Sequence, residues 1–130
     1  MQSEYEYSAV ENSIIGSLSL WGRLLGIAFF LQALFESIRT LPLLFIGALL
    51  PGGVGVLYIL YYASIGMALY KSSGWFKRVV STEGNDVFNM LQGLGELGKA
   101  FRLRVLATVG LFLLVVVAAV LLSILGVLTL

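Results

Sequence analysis

The hydrophobic positions of this chain come in long blocks, and three blocks are long enough to be read as membrane-crossing helices. Such a helix needs about 20 apolar residues, each rising ~1.5 Å, to cover ~30 Å of hydrocarbon. The clearest block, VLATVGLFLLVVVAAVLLSILGVLTL, runs from Val105 to Leu130 without a charge. It is longer than one crossing requires, so a tilt or an end among the headgroups is expected. The second, GGVGVLYILYYASIGMALY, runs from Gly52 to Tyr70 and closes on Lys71. Pro51 just before it suits the first turn of a helix, where the missing N–H does no harm.

The first block is less regular. Between Arg23 and Glu36 only LLGIAFFLQALF is uncharged, about 18 Å of helix. The pattern predicts a span over 17–38, with Arg23 snorkelling toward one surface and Glu36 and Arg39 near the other. LPLLFIGALL, Leu41 to Leu50, is too short to cross and reads as an interfacial or re-entrant piece over 41–50. The rival is one long span over 24–50 with Glu36 and Arg39 paired inside the membrane, against which stands the cost of burying charge. The remaining boundaries are an acidic tail at 1–16, a second span at 52–71, a connection at 72–101 and a third span at 104–127. The expected fold is therefore all-α, three transmembrane helices plus a cytoplasmic interfacial amphipathic helix.

That amphipathic helix is predicted from Asn85-Asp86, a helix-capping pair, followed by VFNMLQGLGELGKAF. Val87, Met90, Leu91, Leu94, Leu97 and Phe101 recur at helical spacing on one face, and Asn89, Gln92, Glu96 and Lys99 fall opposite. Within it, Gly93-x-Gly95-x-x-Gly98 has the spelling of a dinucleotide-binding turn. Such a turn works only between a strand and a helix, where backbone amides approach a pyrophosphate. No strand precedes Gly93, so a nucleotide site is not expected. WFKRVV, Trp75 to Val80, mixes rings and cations just after the second span, the composition of a headgroup-layer anchor. The expected interface set is Trp75, Phe76, Lys77, Arg78, Leu94 and Leu97.

Composition places the chain in lipid. Of its 130 residues, 59% are apolar and 12% charged, against roughly 45–50% and about 25% in soluble domains. A soluble globule this small cannot hide so much apolar surface. With no cysteine and no histidine, disulfides, thiolate and imidazole metal sites and histidine catalysis are excluded. A formal charge of +1 gives no reason to expect nucleic acid as a partner. The acidic start MQSEYEYSAVENS lacks the cationic opening of a secretory signal, so the first apolar block is expected to remain as an anchor. Of the eight Lys and Arg residues, Arg23, Lys71, Lys77, Arg78, Lys99, Arg102 and Arg104 share one side, leaving Arg39 on the other. By the positive-inside rule both the N-terminus and the 71–104 connection are cytoplasmic and the C-terminus lies outside.

Few residues suggest chemistry. Gly22-x-x-x-Gly26 in the first span, Gly98, and Ala119-x-x-x-Ser123 in the third are candidate helix-packing positions, since small residues let helices approach closely. Gln32, Glu36 and Arg39 can line one face, and Tyr61 and Tyr62 fall near mid-membrane. These five form a candidate intramembrane polar site, with a local i,i+3 ion pair and ordinary inter-helix packing as the plainer readings. Asp86, Glu83 and Glu96 read as solvated or capping charges. No carboxylate pair or nucleophile–base set emerges, and no metal or cofactor is expected.

SLWGRLLGIAFFLQAL (Ser19–Leu34), GMALYKSS (Gly66–Ser73) and NDVFNMLQGLGELGKAFRLRVL (Asn85–Leu106) together resemble a family of small bacterial three-span membrane proteins of unknown function. The resemblance covers about residues 15–125 and rests mostly on apolar pattern. It implies architecture and a bacterial inner membrane, and supplies no site residues. The expected role is non-enzymatic: a structural, oligomerising or accessory subunit whose partners are the bilayer, copies of itself or a larger membrane complex. A small holin-like oligomeric pore and membrane remodelling by the 75–101 segment are the alternatives.

Overall fold

The structure, a computed structural model, describes residues 6–124 and Gly126. It contains three helices, α1 (Ala9–Phe45), α2 (Leu49–Ser81) and α3 (Asp86–Ile124), of 37, 33 and 39 residues. All three are long and apolar enough to cross a membrane. There is no strand among the described residues. The expected end of the third span, residues 125 and 127, lies outside the described residues, as does Glu4 of the N-terminal tail.

Local chemistry sets the helix ends. Ser8 caps α1 by a reciprocal box: its Oγ accepts from the Glu11 amide, and Glu11 Oε2 accepts from the Ser8 amide at 2.7 Å. Two orphan amide donors are thereby satisfied. At the other end Gly47 takes φ +75° and the Ala48 amide donates to Leu43 O, a left-handed exit that glycine adopts without steric cost. The second turn, Thr82–Asn85, again uses positive φ, at Gly84 and Asn85.

Three helix ends differ from the predicted segment boundaries. The tail was expected to reach residue 16, but helix begins at Ala9, because the Ser8–Glu11 box starts it there. The 41–50 piece is not a separate element: α1 continues through Pro42 to Phe45, and α2 starts at Leu49. The 72–101 connection shrinks to Thr82–Asn85. Its first part completes α2, and its predicted amphipathic helix is the opening of α3, continuous with the apolar block after it.

α2 is the middle element, with α1 on one side and α3 on the other, each antiparallel to it. The buried positions of α1 are Ile15, Ser19, Gly26, Ala33 and Thr40, with Gly22, Phe29, Glu36 and Leu43 half-covered between them. Alternating steps of three and four give a period of 3.5, the seam of a left-handed helix pair. α2 answers with Gly52, Gly55, Gly66 and Ser73. A Cβ built on Gly26 would sit 3.0 Å from the Gly66 carbonyl oxygen and 3.1 Å from the Tyr70 nitrogen; one on Gly55 would collide with the Thr40 side chain. The two backbones therefore run close enough for Ser19 Oγ to donate to Ser73 O at 2.9 Å.

Against α3, the opposite side of α2 presents Ile65, Ala68, Ser72 and Phe76. Ser72 Oγ donates to Gly93 O at 2.8 Å, and a Cβ on Gly93 would lie 2.5 Å from the Phe76 ring. Ile65, Ala68, Leu69 and Ala100 form one core cluster, and Ile15, Phe76 and Val79 another. Beyond Ala107, α3 is exposed on every face whose burial is described. The interior is thus small and partly polar, while the exterior is a continuous array of Leu, Val, Ile and Phe. Water-soluble proteins arrange these the other way round.

Candidate functional site

The predicted packing residues divide. Gly26 lies in the α1–α2 seam at van der Waals limit, and Gly22 is within ordinary contact of Ser73 Cβ at 3.5 Å. Gly98 has nothing within 4 Å of an added Cβ, and Ala119 and Ser123 are exposed on the uncovered half of α3. None of these last three is covered by a neighbouring helix.

The predicted interface residues divide too. Trp75, Lys77 and Arg78 are at the surface or half-covered, with the Arg78 guanidinium 4.4 Å from the Trp75 ring centroid and Phe88 edge-on to that ring at 6.3 Å. Phe76, however, is 2% exposed and belongs to the core. Its ring fills the gap that Gly93 leaves on α3. Leu94 is exposed, but Leu97 packs against the Ile65–Ala100 cluster. The covered face of α3 is Asp86, Asn89, Gly93 and Ala100, whereas Val87, Leu91, Leu94 and Phe101 face outward. Of the predicted apolar face, Met90 and Leu97 pack against the clusters that α2 builds, while Val87, Leu91, Leu94 and Phe101 are exposed.

The five polar candidates fall in two places. Glu36 is half-buried and touches Arg39 at 2.8 Å, an ion pair whose angles are not those of a hydrogen bond; Gln32 beside it is exposed. Tyr62 stacks near Tyr58 and Phe29, at centroid distances of 6.1 and 6.0 Å. Tyr61 turns to α3, where its hydroxyl accepts from Arg104 Nη1 at 3.0 Å. Asp86 is neither solvated nor a simple cap. It is 2% exposed, and its Oδ2 accepts from the Tyr7 amide at 3.1 Å. Nearby, Glu6 Oε1 accepts from the Gly84 amide at 2.6 Å. Residues 6 and 7 thus strap the start of the chain onto the α2–α3 turn.

Sequence reasoning missed a groove between α2 and α3. It holds about 650 Å³; Lys71 and Glu96 border one end, Lys99 and Met67 its middle, and Arg102, Ala63, Leu60 and Leu106 the other. Lys99 Nζ pairs with Glu96 at 2.6 Å. No carboxylate lies within ion-pair distance of Lys71 or Arg102 among the described residues. On the α1 side of the same level, Arg23 Nη2 donates to Tyr70 Oη at 2.9 Å, with its guanidinium 5.2 Å from the ring centroid. The signal lay in the phase: Lys71 and Met67 on α2, and Lys99 and Leu106 on α3, each recur at helical spacing. Only the antiparallel register brings the two sets together.

Among the described residues, no three acidic side chains gather as a metal site would need. No family model matches the chain, and no similar curated protein or solved structure is found. The resemblance to bacterial three-span proteins therefore gains no support from those comparisons, and the functional reading rests on geometry.

Proposed function

We propose that this chain is a non-enzymatic integral protein of the bacterial inner membrane, serving as a structural or accessory subunit that joins copies of itself or a larger assembly. The observation that carries the reading is the inverted distribution of side chains, together with the bare second half of α3. From Thr108 to Leu121 every residue of that helix is exposed. Helices in lipid associate through packing and hydrogen bonds, without a hydrophobic drive. The α1–α2–α3 seams use that means fully, and α3 leaves an outlying helix available for another chain.

The test is gentle solubilisation followed by native mass measurement. We expect one discrete homo- or hetero-oligomer. A monomer at every detergent concentration overturns the assembly role, and a protein extracted from membranes by alkaline wash overturns the integral placement.

A second reading, bilayer remodelling, is favoured by one observation: Val87, Phe88, Leu91, Leu94 and Phe101 are exposed on the first half of α3. Its test uses Leu91→Glu with Leu94→Glu and leaves Leu97, a core residue, in place. Vesicle deformation by the wild type and none by the variant supports it; equal effects remove it.

A further inference from the structure

We infer that the α2–α3 groove is a binding site for one anionic phospholipid, which it holds by headgroup and chain together. The inference rests on the integral-membrane placement. The groove sets cations among apolar side chains, the two kinds of contact that a phospholipid offers. Lys71, Lys99 and Arg102 supply three cations against the single carboxylate of Glu96, and Leu60, Ala63, Met67 and Leu106 line the rest. Glu96 is already engaged by Lys99, which leaves Lys71 and Arg102 without a carboxylate partner among the described residues.

Helix geometry makes those two cations converge. Each Cα–Cβ bond tilts toward the N-terminus of its own helix. In an antiparallel pair that directs Lys71 along the groove toward α3's Arg102, and Arg102 back toward Lys71. An anion placed between them receives donors from both helices, and the guanidinium matches phosphate in a two-pronged way that an ammonium does not. The register also sets a length. Arg102 lies level with Ala63, ~12 Å along the groove from Lys71, so a phosphate held between the two leaves Ala63, Leu60 and Leu106 to meet the upper part of an acyl chain. Its apolar end opens beside the exposed flank of α3 that begins at Val105 and Leu106, so a chain lying in the groove runs on into the surrounding lipid. Zwitterionic lipids carry their own cation near the phosphate, which the cluster repels, so the site selects a net negative headgroup.

The experiment uses the full chain in detergent, with native mass spectra recorded after incubation with phosphatidylglycerol or phosphatidylcholine. We expect phosphatidylglycerol retained at one per protomer and at least tenfold over phosphatidylcholine. Lys71→Gln with Arg102→Gln should abolish the preference, while Lys77→Gln with Arg78→Gln, which removes equal charge outside the groove, should keep it. Circular dichroism checks that both variants remain helical; if the first unfolds, Arg102→Lys alone should weaken retention without loss of helicity. Equal retention of both lipids, equal loss in both variants, or displacement by millimolar glycerol phosphate overturns the inference. The last result would mean that the headgroup alone is recognised. Because alkaline extraction reads the membrane placement separately, failure of lipid selectivity in a protein that stays in the membrane falls on this inference alone.

Discussion

At the scale of single residues, glycine decides where the helices can meet. A side chain at Gly66 would enter the space held by the Gly26 carbonyl and the Phe29 and Phe30 side chains. Gly66→Leu is expected to destabilise the α1–α2 pair by about 1–3 kcal/mol, the usual cost of overpacking. Gly74, with nothing within 4 Å of a built Cβ, is the control: Gly74→Ala should be neutral or gain up to about 1 kcal/mol of helix propensity. Unfolding in mixed micelles measures both. Asp86 makes a second residue-scale prediction. Asp86→Ala removes the acceptor for the Tyr7 amide and should cost about 1.5–3 kcal/mol, seen as faster amide exchange at residues 6–12. Asp86→Asn keeps a carbonyl oxygen there and should restore most of the protection.

At the scale of elements, hydropathy made the three helices legible, because long uncharged blocks admit no other regular structure in lipid. Their ends were less legible. The 41–50 block reads as a separate interfacial piece, yet α1 runs through Pro42 to Phe45, giving up the one backbone bond that an amide at position 42 would make to Ile38. The packing faces were hardest to read. Leu91, Leu94 and Phe101 mark the apolar side of α3 by the logic of soluble proteins, but here the covered side is Asp86, Asn89, Gly93 and Ala100. The Gly22–Gly26 pair was visible as a motif, while the longer seam from Ile15 through Ser19, Gly26, Ala33 and Thr40 mixes residue types and needs the partner helix to be recognised. The uncovered half of α3 yields its own prediction. Leu113→Arg should oppose membrane insertion of that segment by about 2.5–3.5 kcal/mol, measured as the fraction inserted in a translocation assay. Insensitivity to this change would mean that the segment does not enter the bilayer.

At the scale of the whole molecule, the two turns lie at opposite ends of α2, so topology can be read with few probes. The chain has no cysteine, and single cysteines at Ala48 and Glu83 report the two ends without background. We expect an impermeant thiol reagent applied to intact cells to label Ala48→Cys and to leave Glu83→Cys unlabelled until the membrane is opened; the reverse pattern would invert the orientation. The strap of residues 6 and 7 also imposes an order in time. Its hydrogen bonds close across 78 and 79 positions of sequence, to acceptors and donors that the ribosome adds only after both helices of the hairpin. Residues 6 and 7 are therefore fastened only after the hairpin that follows them has been made. A bulky fusion ahead of Glu6 should slow that final latching while the hairpin itself assembles at its normal pace.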